Sequence, residues 1–171
     1  MQREGLAADD VLVVGFGNDL AGDDGCGPAV VAQLRLAPPA PGLRVVDGGT
    51  DSLDLTSLWA GEPEVWLVDA DQRGDPPGTV HRLEHASLAA LPQRHTSAHR
   101  LSLPESLRCI VHAWPEMAGI RYRLWGIEPA RLDPGEGLSD PVARAVGVVA
   151  GEIRRAAHSI ARGRAREVSR E

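Results

Sequence analysis

Apolar positions along the chain follow two rhythms. Short unbroken runs alternate with longer stretches in which an apolar residue recurs every three or four positions. Residues 11–15 (VLVVG) form a run too short for a helix, and its valines predict a central strand. Residues 43–46 and 65–68 predict a second and a third strand, 79–83 a fourth and 121–127 a fifth. Between them the period lengthens. Val30, Val31 and Leu34 make one stripe of a helix over 28–36, with Pro28 in its first turn and the segment APPAPG (37–42) ending it. Leu53, Leu55, Leu58 and Trp59 fit a short helix within 52–60. Residues 93–102 are polar. Ser102 and Glu105 then have the spacing of a capping box, and Leu103, Leu107, Ile110, Val111 and Trp114 form the stripe of the helix it opens. The last helix is capped by Ser139 or Asp140 and starts at Pro141. Val142, Ala145, Val146, Val149 and Ile153 line one face of it, and the charged tail over 162–171 is expected to fray.

Strand and helix alternate from start to end. The pattern predicts a single α/β domain over residues 1–171, with its core at about 10–160. The architecture expected is a three-layer α/β/α sandwich around a mixed, mostly parallel five-stranded sheet. The segment RGDPPG, between the third and fourth strands, is too short for a helical crossover. Those two strands are therefore antiparallel neighbours or lie at different edges.

Composition narrows the function classes. A net charge of −6 gives no electrostatic footprint for nucleic acid. No stretch approaches the 18 apolar residues of a membrane helix, and the opening MQREGLAADD has no apolar signal core, so a cytoplasmic protein is expected. Cys26 and Cys109 make neither a disulfide framework nor a zinc spacing. All 18 basic residues are arginines, which bears on genome composition and not on function.

Ligands of open α/β sheets bind beyond the carboxyl ends of the strands. Polar clusters follow the first three strands here: Asn18 to Asp24, Asp47 to Thr50, and Asp69 to Asp71. A loop with His95 and His99 precedes a helix and can reach the same rim. Carboxylates with an imidazole suit a divalent metal of the nickel or zinc kind. The first turn has Gly15 and Gly17 as in a dinucleotide fingerprint, but Leu20 stands where a third glycine is needed. Asp19, Asp23 and Asp24 would repel a pyrophosphate, and the partial charge of a helix N-terminus, about half a unit, does not offset three carboxylates. A cation fits this turn better than a phosphate. Plainer roles stand beside these: Asp24 as a helix cap, Asp69 as a strand-end acceptor, Asp19 and Asp23 as solvated turn residues, Asp47 as a turn former or a contact to a substrate tail. Cys26 and Cys109 read as structural, Trp59 and Trp66 as core. His81, His85, His112 and His158 carry no functional assignment.

The segment GFGNDLAGDDGCG (15–27) resembles the G-x-G-N-x-x-x-x-D-[DE]-G-x-G signature of the hydrogenase maturation endopeptidases. DGGT (47–50), LVDA (67–70), PPGTVHRLE (76–84), TSAHRLSLPE (96–105) and GIEPARLDPGEGLSDPV (126–142) resemble later motifs of that family, in order, so the likeness spans about residues 10–155. It implies an endopeptidase that trims the C-terminal extension of a nickel–iron hydrogenase large-subunit precursor after nickel insertion. It also implies that Asp24, Asp69 and His99 meet the metal, with His99 preferred over His95. The nickel would be presented by the substrate and not permanently bound. Cys26 departs from the bulky apolar residue usual between the last two glycines. The partner expected is the precursor alone, with the protease a monomer. The competing reading is a non-catalytic metal-sensing or docking module on the same fold.

Overall fold

The computed structural model describes residues 11–38, 40–84, 102–135 and 137–168, with side chains through 163. Five strands, β1 (Val11–Phe16), β2 (Leu43–Gly49), β3 (Glu64–Ala70), β4 (Val80–Glu84) and β5 (Arg121–Ile127), form one sheet in the order β2-β1-β3-β5-β4. The first three spatial pairings are parallel and β4 runs antiparallel to β5. The fold is thus the mixed, mostly parallel α/β sheet expected. Neither placement left open for the third and fourth strands holds: β4 is an edge strand, β3 is the central strand, and β5 inserts between them. The intervening loop turns back toward the end of β5, where Gly78 N donates to Glu128 O and Glu128 N donates to Thr79 O.

Because side chains alternate along a strand, each central strand feeds two cores. Val11 and Val13 of β1, Trp66 and Val68 of β3 and Trp125 and Ile127 of β5 pack on one face. Two helices cover them there, α1 (Cys26–Arg35) through Val30 and Leu34, and α4 (Asp140–Val168) through Val142, Ala145, Val146, Val149 and Ile153. Leu12, Val14, Phe16, Leu67 and Leu124 point to the opposite face, against Leu55 of α2 (Leu55–Leu58) and Leu103, Leu107 and Ile110 of α3 (Leu103–Ala113). This is the three-layer sandwich. Among the described residues no helix is long and apolar enough to cross a membrane.

Three local expectations change. The segment 52–60 condenses to a 3-10 turn (Ser52–Asp54) and the single turn α2, which buries Leu55 while Leu53 stays exposed. In α3 the capping box forms, with Glu105 Oε2 accepting from Ser102 N and Ser102 Oγ at 2.9 and 2.8 Å. Trp114 is 43% exposed, however, because the chain leaves the helix there. The tail does not fray at Arg162: α4 continues to Val168. Six of the eight residues over 161–168 are Ala, Arg or Glu, which favour a helix and outweigh Gly163 and Val168.

Glycines decide how closely α1 meets the sheet. A Cβ on Gly15 would overlap the Gly27 carbonyl oxygen, and a Cβ on Gly27 would overlap the Phe16 carbonyl oxygen and stand 2.8 Å from Val68 O. The start of α1 therefore lies against the ends of both β1 and β3. Gly27→Ala is expected to lower the unfolding free energy by about 1–3 kcal/mol, the usual cost of overpacking. Gly147→Ala, where the nearest atom to the new Cβ is Gln33 Nε2 at 3.9 Å within α4, is expected to raise it by about 0.5–1 kcal/mol. Denaturant unfolding followed by circular dichroism reads both.

Candidate active site at the carboxyl rim of the sheet

The chain leaves β1 through α1 on one face and returns from β2 to β3 through α2 on the other. Connections that diverge to opposite faces leave a crevice between β1 and β3, the place where open α/β sheets bind ligands. Asp24 and Asp69 stand at its two sides. Asp24 lies in the 3-10 turn Gly22–Gly25 that links β1 to α1, and its backbone N–H donates to Ala21 O. Asp69 lies within β3, one residue from its end, paired in register with Gly126 of β5. The side chain of Asp69 is half-buried, and its Oδ1 accepts from Ala70 N at 2.8 Å.

The start of α1 brings the two sides together: a Cβ on Gly27 would stand 2.8 Å from the carbonyl oxygen of Val68, the residue before Asp69. Cys26 is fully buried in the core beneath the rim. Burial pushes the Cys26 thiol well above its ordinary pKa, and the negative charges of Asp69 and Asp24 push it further. The protonated, core-packed Cys26 is a small hydrophobe, the plain reading among those the sequence allowed. Gly17 explains the rest of the glycine turn. Its φ is +143°, and a Cβ on it would overlap Asp24 O. The glycines serve close backbone approach, not a phosphate.

Asp23 corrects the sequence reading. It is fully buried instead of solvated. Ala130 N and Arg131 N donate to its Oδ2 at 2.8 and 3.1 Å, Ser139 Oγ donates to Oδ2 at 2.9 Å, and Ser139 N donates to Oδ1 at 2.7 Å. Burial by itself raises the Asp23 pKa; the donors from Ser139, Ala130 and Arg131 outweigh it and hold the carboxyl below its ordinary value. Asp23 is thereby the pin between the turn that carries Asp24 and the connection from β5 to α4. Asp19 is exposed, as expected. Asp47 is exposed and its Oδ1 accepts from Gly49 N at 2.9 Å, a turn former. Trp66 is core, whereas Trp59 is half-buried and donates through its indole to Glu62 O. Cys109 is exposed on α3 and free. His99, His95 and His85 lie outside the described residues.

Glu128 escaped the sequence reading altogether. It is 2% exposed and directly follows β5. Gly74 N donates to its Oε1 at 2.9 Å and Arg73 N to its Oε2 at 2.8 Å, so it holds the loop that follows Asp69. Nearby, Asp71 pairs with Arg73, Nε to Oδ2, at 2.7 Å. The motif GIEP carried no signal of a buried clamp, because a lone Glu at a strand end reads as solvated.

A family model described as hydrogenase maturation protease (HycI) matches residues 28–156. The chain belongs to the hydrogenase maturation protease family. A Methanocaldococcus jannaschii protein named as a hydrogenase maturation protease is 30% identical over 152 residues, spanning 85% of this chain and 97% of that one. The Escherichia coli maturating endopeptidase HybD superposes with a TM-score of 0.73 at 25% identity, covering 88% of this chain and 93% of that one. HycI from Thermococcus kodakarensis shares the fold, with a TM-score of 0.68 at 22% identity over 85% and 90% of the two chains. Within the span matched by the family model lies Asp69; Asp24 precedes it.

The Asp23 pin generates a pH prediction. A carboxylate whose folded pKa is depressed stabilises the fold above its unfolded pKa, and that contribution is lost as pH falls through the folded value. Asp23→Asn is expected to cost about 1–3 kcal/mol at neutral pH, the scale of leaving buried donors poorly matched. It should also flatten the loss of stability below about pH 4. Urea unfolding at a series of pH values measures both effects.

Proposed function

We propose that this hydrogenase maturation protease removes the C-terminal extension of a nickel–iron hydrogenase large-subunit precursor once nickel is in place. Asp24, Asp69 and His99 grip the nickel exposed by the immature subunit. The metal then arrives with the substrate and is its mark of readiness. Bound at the crevice, it either polarises the scissile carbonyl or lowers the pKa of a water that attacks it. In an equivalent scheme one of the two carboxylates takes the proton of that water. Cleavage consumes one site per precursor, so the enzyme acts once on each substrate molecule.

The observation that carries this reading is the packing of the start of α1, which follows the turn bearing Asp24, against the end of β3, which bears Asp69: a Cβ on Gly27 would stand 2.8 Å from Val68 O, so residues 45 apart in sequence share the switch point of the sheet. Family membership supports a peptidase acting on a hydrogenase precursor. Two carboxylates at one switch point, Asp24 buried and Asp69 half-buried, support a cationic target, since unlike charges attract where a phosphate would be repelled.

Adding the purified protein to a nickel-loaded cognate precursor should shorten the large subunit by a short C-terminal peptide, seen as a mass loss. The same precursor without nickel should stay intact. Binding of the loaded precursor with no change in mass would instead mark a docking module. Asp24→Asn, Asp69→Asn and His99→Ala should each abolish processing with circular dichroism and melting nearly unchanged. Normal processing by His99→Ala together with inactivity of His95→Ala would move the role to His95.

A further inference from the structure

We infer that Asp75, His81 and Glu128 form a second site on the rim, for a divalent cation of the zinc or nickel class, separate from Asp24 and Asp69. This inference does not depend on the peptidase reading.

The three residues come from three elements: the loop after β3, strand β4 and the residue that follows β5. His81 Nε2 lies 3.3 Å from Glu128 Oε2 and 3.7 Å from Asp75 Oδ2, and the three ligand atoms all fall within 4.8 Å of one another. Ligands about 2.1 Å from a tetrahedral ion stand about 3.4 Å apart. The two measured spacings bracket that value, so one ion reaches all three with a small rotation of Asp75. Its side chain is 52% exposed and has room for that rotation.

Charge points the same way. Glu128 is ionised in spite of its burial: burial raises its pKa, but the N–H groups of Arg73 and Gly74, and then His81, hold it below the usual carboxylate range. Three backbone donors, Arg73, Gly74 and Asp75, meet Glu128, and of the about four acceptor positions of a carboxylate the one that now faces His81 is the one a metal would take. The guanidiniums next to these residues in sequence are engaged elsewhere, Arg73 by Asp71 and Arg82 by Glu152. Two carboxylates thus converge on one imidazole nitrogen. The backbone holds this arrangement in advance, through Gly78 N to Glu128 O, Glu128 N to Thr79 O and Asp71 N to Ile127 O, at 2.8, 2.9 and 3.0 Å.

Two oxygens, one imidazole nitrogen and one side open through Asp75 make a three-ligand set with a free fourth position, as in open zinc sites. Hard cations such as Mg²⁺ and Ca²⁺ prefer six or more oxygens, and the imidazole selects against them. An ion here would tie the loop directly after Asp69 to β4 and β5, stiffening one wall of the crevice.

The test uses the full chain carrying Asp24→Asn and Asp69→Asn, which silences the first site. Isothermal titration with ZnCl₂ or NiCl₂ should give one ion per chain, and MgCl₂ no heat of binding. Adding Asp75→Asn or His81→Gln should weaken zinc affinity by more than about 10-fold, since even the loss of a ligand's supporting partner costs that much. Asp75→Asn is the decisive variant: its half-exposed side chain leaves the Glu128 clamp whole, and melting without metal should not move. Absence of zinc and nickel binding in the Asp24→Asn, Asp69→Asn chain, or binding that both further variants leave unchanged, overturns the proposal. Loss of peptidase activity is read separately, on the precursor mass, and bears only on the first site.

Discussion

The buried carboxylate of Asp23 is the contact on which the rim is built. Removing an ionised carboxyl from water is costly unless hydrogen bonds replace the lost hydration. Four donors from residues 130, 131 and 139 do so here, and burial is tolerated as a result. The hydrogen-bond network fastens the turn after β1 to the connection after β5, two segments more than 100 positions apart in the chain. Backbone bonds follow the same line, with Asp23 N donating to Arg131 O and Gly22 N to Gly135 O. Asp24 is carried on this fastened turn, so its position is inherited from its neighbour. The glycines at 15, 17 and 27 make the complementary contribution. By carrying no Cβ they let the turn sit directly on the strand ends, where any side chain would hold it away.

Buried carboxylates recur as fasteners in this protein. Glu62 accepts from Arg44 Nε and Ala60 N at 2.6 and 2.7 Å. Glu64 accepts from the Trp66 indole at 3.0 Å and from Arg121 at 3.2 Å, with Arg123 also at 3.2 Å. Glu128 holds the loop after β3. Glu62 ties the turn before β3 to β2, Glu64 ties the start of β3 to that of β5, and Glu128 ties the loop after β3 to the end of β5. Against this background Asp69 differs in kind. It is half-buried at the switch point of the sheet, and its Oδ1 accepts from the neighbouring Ala70 N. Adjacent acidic residues at 23 and 24 thus divide the work, one saturated by donors and holding the fold, the other set at the crevice.

How far the sequence could be read follows from the range of each interaction. All five strands and the helices α1, α3 and α4 were legible because their signals are local: runs of branched residues, stripes of period 3.6, a capping box and prolines in first turns. The charged end of α4 was misread for want of weight given to propensity alone. Asp24 and Asp69 could be singled out as candidates because each belongs to a polar cluster at the carboxyl end of a strand, in the turn after β1 and one residue from the end of β3, and ligands gather at strand ends. Nothing local separates a solvated Asp23 from a buried one, and nothing local sets Glu128 apart from a surface glutamate.

By itself, then, the chain's pattern determined that strands and helices alternate, which faces are apolar and that acidic residues crowd the carboxyl rim. The tertiary structure decided the order β2-β1-β3-β5-β4, the place of β4 beside β5, and which carboxylates are fasteners. Those outcomes rest on partners far away in the chain, such as Ser139 for Asp23, 116 positions on, and Gly74 for Glu128, 54 positions back. A hydrogen bond depends on distance and direction in space. Only the packed fold brings such donors to such acceptors, and a linear pattern holds no record of that meeting.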